Sequence, residues 1–165
     1  EFSRNVMLGK GKTVQRIYTK TGPAATTPRR YFDGSFLPAD LGAGSGFPWS
    51  GSTAEISTAI NAGRFLVIHR DHGWQHGWSH PDWETTNASA LTNGDLTPVM
   101  FSVNCASGYF DNETAPGGSV GSVYFMETLM RKADGGIVGA LGAATETVEN
   151  DEENRRDLHE KIWIT

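Results

Sequence analysis

Two short apolar runs dominate the hydropathy pattern of this chain, Phe65 to Ile68 and Val99 to Val103. Each is bounded by turn-forming residues and lacks polar alternation, as expected of a strand covered on both faces in a parallel sheet. The predicted strands are Arg64 to His69 and Val99 to Asn104, with a third from Ile137 to Leu141. Helical spacing separates them. Ser52 and Thr53 supply a cap for a helix carrying Ile56, Ala59 and Ile60, which stops at Asn61-Ala62-Gly63. A short helical turn is expected between Asn87 and Asn93. A longer helix is expected over Ser119 to Lys132, using Val120, Val123, Tyr124, Leu129 and Met130 and ending before Gly135-Gly136. Thr13 to Thr19 is β-branched and aromatic and predicts a further strand. Residues 1–12 are polar and Gly-rich and predict no element. Residues 20–51 form a long irregular excursion, Asp71 to Asp82 a loop, and Glu153 to Trp163 a closing helix. Strands alternating with helices imply right-handed crossovers and an α/β fold, a mainly parallel sheet flanked by helices.

Composition narrows this picture. The 165 residues suffice for one domain with its own core, so residues 1–165 are read as a single domain segment. The net charge of −5 repels phosphate backbones and argues against a nucleic-acid partner. No apolar stretch approaches the ~20 residues of a membrane span. The abrupt start at Glu1-Phe2 and the apolar ending Lys161 to Thr165 suggest part of a longer chain. Cys105 is the only cysteine, so no internal disulfide exists and the thiol must be explained by burial or by reactivity.

Most isolated cysteines are inert core residues. Cys105 differs in position: it stands where a strong strand stops and a turn of small residues, Ala106-Ser107-Gly108, begins. Function in parallel sheets gathers at the strands' carboxyl ends. A thiolate needs a basic neighbour at neutral pH, and the histidines are His69, His72, His76, His80 and His159. His72 ends the loop from the first apolar run and precedes Gly73, which permits close approach of the backbone to a substrate. A thiol nucleophile with a histidine base is therefore the leading chemistry.

The stretches AINAGRFLVIHRDHG, ALTNGDLTPVMFSVNC and SVYFMETLMRKADGGIVGALGA, with Phe110 to Asn112, resemble the caspase-fold cysteine peptidases and, among them, the gingipain family, peptidase family C25. The resemblance covers about residues 52–142 and implies a three-layer caspase-like fold. It implies that Cys105 is the nucleophile of a cysteine endopeptidase, that His72 is general base and acid, and that the backbone amides of Gly73 and Cys105 form the oxyanion hole. The substrate would be a protein or peptide, with no cofactor required, a structural Ca²⁺ offered by the acidic loops, and an extracellular or cell-surface location. The chain departs from the pattern at Asn104, where the gingipain tract has a second cysteine, and after the third strand, where Glu146 and Glu149 replace a tryptophan. An acidic pocket there would favour Arg or Lys before the cut bond, whereas most such charge runs are simply solvated.

Two other readings compete. His69, Asp71 and His72, with His76 and His80 nearby, approach the ligand pattern of a zinc hydrolase, although the expected preceding histidine is Val67. Alternatively, Trp74, Trp78 and Trp83 could line the aromatic platform of a non-catalytic binding module.

Overall fold

The computed structural model describes residues 1–20, 30–31, 33–110 and 123–144. Its first element is helix α1 (Phe2–Gly9), followed by a single 3₁₀ turn at Ala39–Leu41. Next come α2 (Thr53–Asn61), β1 (Leu66–Arg70) and three two-residue strands, β2 (Gly73–Trp74), β3 (Gly77–Trp78) and β4 (Trp83–Glu84). The chain continues with α3 (Thr85–Ser89), β5 (Val99–Val103), α4 (Phe125–Arg131) and β6 (Gly139–Gly142).

The main sheet is parallel, in the order β1-β5-β6. Its register pairs Leu66 with Val99 and Arg70 with Val103 on one side, and Val99 with Gly139 and Ser102 with Gly142 on the other. The helix preceding β1 starts as the sequence predicts. Ser52 accepts from the Glu55 amide while Glu55 reaches back to the Ser52 amide, a reciprocal cap that satisfies two otherwise unpaired donors.

Pleating divides the sheet into two faces. Val67, His69, Met100 and Ser102 point toward α2, α3 and α4, where Ile56, Ile60, Trp78, Trp83, Ala88, Leu91, Met100, Phe125, Met126, Leu129 and Ile137 form the core. Trp83 lies edge-on to Phe125 at 5.5 Å and beside Trp78 at 5.2 Å. The other face carries Ile68 and Leu141, both about half exposed. Among the described residues, helices thus pack on one face.

The sequence expectations for β1, β5 and β6 hold with ends displaced by up to two residues, and the short helix near Asn87 begins earlier, at Thr85. The N-terminal region differs more. Thr13 to Thr19 forms no strand; only an isolated bridge, Thr19 to Ser50, remains. Its side chains find other partners instead. Arg16 pairs with Glu1 and Asp40, and the Tyr18 hydroxyl donates to Glu1. Residues 2–9, for which no element is predicted, form α1 without burying any residue. The predicted loop at Asp71 to Asp82 contains β2 and β3, which form a small antiparallel sheet with β4 just after it, in the order β2-β3-β4. The predicted helix start at Ser119, the closing helix at Glu153 to Trp163, and His159, Glu146 and Glu149 lie outside the described residues.

Candidate active site

Adjacent parallel strands carry the two sequence-predicted groups to the same end of the sheet. Arg70 pairs with Val103, so His72 and Cys105 each follow two residues after the last pair of the β1–β5 ladder. Their segments then touch. A Cβ built on Gly73 would lie 2.5 Å from Cγ of Asn104, a separation that real side chains do not tolerate, so the Gly73 backbone rests directly on the Asn104 carboxamide.

The segment holding His72 is tethered on several sides. Asp71 Oδ1 accepts from the His72 amide at 2.7 Å, and the His72 carbonyl accepts from the Ser79 amide at 3.0 Å. The Gln75 carbonyl accepts from the amide of Phe125, the first residue of α4, which ties the β2-β3 turn to the core. His72 itself is exposed, with the His80 ring 6.3 Å away. His80 Nδ1 lies 3.6 Å from Asp71.

Cys105 is partly buried. After it, Ala106 adopts φ 48°, a left-handed conformation that turns the chain sharply away from β5 and is uncommon for a residue with a Cβ. The turn is pinned at Gly108, whose amide donates to Ala143 just after β6. A Cβ on Gly108 would meet the Gly142 carbonyl oxygen at 2.5 Å, so only glycine fits where this turn crosses the end of β6.

Beneath the two segments runs a buried polar network. Trp78 Nε1 and Ser107 Oγ both donate to Ser102 Oγ at 2.7 Å, and Ser102 Oγ donates to Asn104 Oδ1 at 3.1 Å. Asn104 Nδ2 lies 2.7 Å from His69 Nδ1. The His69 ring stacks on Trp78 at 4.2 Å with 5° between the planes. Burial pushes the His69 imidazole down to about 4, against the weaker opposing pull of the Ser79 backbone and the Asp71 charge. The ring is therefore neutral at pH 7, Nδ1 accepts from Asn104, and the proton sits on Nε2.

A pH dependence of stability follows. The unfolded imidazole titrates near 6.5 and the folded one near about 4, so between these values the unfolded chain binds more protons. The stability present above pH 6.5 is lost as pH falls toward 4, by roughly 3 kcal/mol for this one group. Urea midpoints measured from pH 7 to pH 4.5 should fall accordingly, and His69→Gln should flatten the dependence. An unchanged slope in the variant would show that His69 is not its source.

These placements correct parts of the alternative readings. His69 is turned inward to Asn104 while His72 is exposed, so the His69, Asp71 and His72 triplet does not converge. Among the described residues, no group of three or more His, Cys, Asp or Glu side chains is placed to hold a metal ion. Trp78 and Trp83 are 1% and 0% exposed and belong to the core, which removes them from any surface platform. Only Trp74 remains partly accessible. Asn104 was legible in the sequence only as a departure from a pattern; its contacts with His69 and Gly73 had no signal in spacing.

The sequence profile of Peptidase family C25 matches residues 4–164. The chain belongs to peptidase family C25. Among solved structures, this C25 chain is similar to the Arg-specific cysteine proteinase gingipain R, at 28% identity over 62% of this chain and 22% of that one, with a TM-score of 0.48. It is also similar to the complex of the Porphyromonas gingivalis RgpB pro- and mature domains, at 27% identity over 62% and 23%, TM-score 0.47. A third solved protein, described as a protease, matches at 23% identity over 66% and 20%, TM-score 0.50, and this likeness shows the α/β fold. The C25 chain thus spans about a fifth of the length of these proteins. No curated protein sequence matches it.

Proposed function

We propose that this C25 chain carries the reacting groups of a cysteine endopeptidase, with Cys105 as nucleophile and His72 as general base and acid. The observation that carries the reading is the β1–β5 register, which brings the His72-Gly73 and Asn104-Cys105 segments off neighbouring strands at one level. The Cys105 thiolate attacks the peptide carbonyl carbon, a C–S bond forms, and the oxyanion is met by the amides of Gly73 and Cys105. His72 gives its proton to the leaving amine as the C–N bond breaks. Water then attacks the thioester, His72 takes its proton, and the C–S bond breaks to return the thiolate. No redox partner or cofactor enters this sequence.

Membership of family C25 supports a peptide substrate. Glu146 and Glu149 make Arg and Lys the first residues to try before the cut bond. Among the described residues no helix is long and apolar enough to cross a membrane. Action outside the cytoplasm, as one part of a longer peptidase, completes the proposal.

Alkylation of Cys105 by iodoacetamide at pH 7 tests the pairing. The wild-type thiol should react about ten times faster than an ordinary cysteine or more, and His72→Ala should remove that advantage. A fluorogenic peptide panel with Arg, Lys and apolar residues before the reporter should show thiol-sensitive turnover. Activity that is indifferent to iodoacetamide and abolished by a chelator would overturn the reading in favour of a metal hydrolase.

A further inference from the structure

Asn104 is only 7% exposed, yet it lies immediately before the nucleophile proposed above and its carboxamide contacts three different segments. Through Nδ2 it holds His69 at the end of β1, and through Oδ1 it is held by Ser102 within β5. Its flat face supports Gly73, whose missing Cβ leaves room for that approach: built Cβ distances to Cγ, Oδ1 and Nδ2 are 2.5, 2.7 and 2.8 Å. The neighbouring groups fix its orientation. Ser102 Oγ accepts from Trp78 and Ser107 and so has its one proton left for Asn104 Oδ1, which aims Nδ2 at His69. His69 is itself clamped by its stack on Trp78.

We propose that Asn104 is a positioning residue, a spacer that sets the separation of the Gly73 amide from the Cys105 backbone and so the width of the oxyanion site. The proposal rests on the Cys105/Gly73 reading above. Cys105 follows Asn104 directly in the chain, and Gly73 rests on its side chain, so one carboxamide references both donors. A spacer acts through backbone geometry. It should therefore matter when a carbonyl oxygen gains charge and hardly at all when the thiolate displaces iodide from a small reagent, where no oxyanion forms.

This difference supplies the test, made on the intact protein with the best fluorogenic peptide amide from the panel and with iodoacetamide. Asn104→Ala should lower kcat about 100-fold with KM changed less than threefold, as expected for loss of one oxyanion contact, while alkylation of Cys105 stays within about twofold of wild type. Gly73→Ala should lower kcat comparably, because its methyl group displaces the Asn104 carboxamide. Gly73→Ala combined with Asn104→Gly should recover at least tenfold over Gly73→Ala alone, because the methyl group at 73 then occupies the space the carboxamide vacates and takes over its spacing contact with the backbone at 104. His69→Phe keeps the stack on Trp78 but removes the Nδ1 acceptor. It should reproduce part of the kcat loss and add little to Asn104→Ala, since the two residues act as a pair. Asn104→Ser serves if the alanine variant does not fold, with the same kcat-specific loss expected at about tenfold.

Equal losses in turnover and alkylation for Asn104→Ala or Asn104→Ser would overturn the spacer role, since that is the mark of a collapsed site. So would turnover within threefold of wild type, or no recovery in the Gly73→Ala/Asn104→Gly double variant. Failure of the underlying peptidase reading looks different: the wild-type protein would then show neither thiol-sensitive turnover nor an enhanced rate of alkylation.

Discussion

Replacing Cys105 by alanine is expected to lower kcat by about 10⁴-fold or more, the loss seen when a covalent nucleophile is removed while the rest of its site remains. The change deletes one sulfur from a partly buried position at the end of β5 and leaves the Ser102, Asn104 and Ser107 hydrogen bonds in place. Peptide binding should therefore survive, with KM close to that of wild type, and a melting curve should superpose. The comparison is made by progress curves with the same fluorogenic peptides. Residual turnover above about 1% of wild type would mean that another group, or a directly activated water, attacks the carbonyl, since loss of a true nucleophile leaves far less. No second cysteine exists in the chain to substitute for it.

Trp83→Ala should act on the fold itself. The indole is fully buried, donates through Nε1 to Ser57 Oγ at 2.9 Å, meets Phe125 edge-on and touches Trp78. Truncating a large buried aromatic leaves a cavity and is expected to cost about 3–5 kcal/mol. That is a large part of the 5–15 kcal/mol that holds a typical domain together. Denaturant midpoints should drop sharply, and the His69–Trp78 stack should loosen with the cluster, so turnover should fall together with stability. Trp83→Phe, which keeps much of the volume and loses the Ser57 bond, should recover most of the difference. A Trp83→Ala protein with an unchanged midpoint would show that this aromatic cluster is not the core.

The parts of the fold that could be read from the chain are those where burial leaves a one-dimensional trace. Phe65 to Ile68 and Val99 to Val103 stand out as apolar runs because Val67 and Met100 pack into the core, although Phe65 and Ile68 stay accessible at the edge strand, and the ends of the runs bring His72, Gly73 and Cys105 into view. The helix cap at Ser52 was legible too, from residue type alone, whereas the reciprocal bond from Glu55 appears only in the structure. Failures occurred where long-range partners decide. Thr13 to Thr19 has strand propensity but, among the described residues, no neighbouring strand, and its Arg16 and Tyr18 are committed to Glu1. Trp78 and Trp83 sit among histidines in sequence, yet the β2-β3-β4 turn carries them inward to Phe125. His69 lies within the strand register and His72 two residues beyond its end, so the sequence itself separates the two; what it does not show is the partner of His69, the Asn104 carboxamide.

Gly108 and Gly142 offer a contrast with Gly73 that concerns how this site can change over generations. Gly73 is confined by a side chain, so a larger residue there has a second-site remedy in a smaller residue at 104. Gly108 is confined by the backbone of Gly142, whose carbonyl oxygen a Cβ there would meet at 2.5 Å, whereas a Cβ on Gly142 would meet Met126 Cε first, at 3.0 Å, and then the Gly108 amide. Every amino acid carries those backbone atoms at 142, so no substitution there relieves a change at 108. The turn behind the thiol is thus closed to stepwise drift, while the face toward Gly73 stays adjustable in pairs. Descendants of this sequence would be expected to vary at 73 and 104 together and to keep glycine at 108.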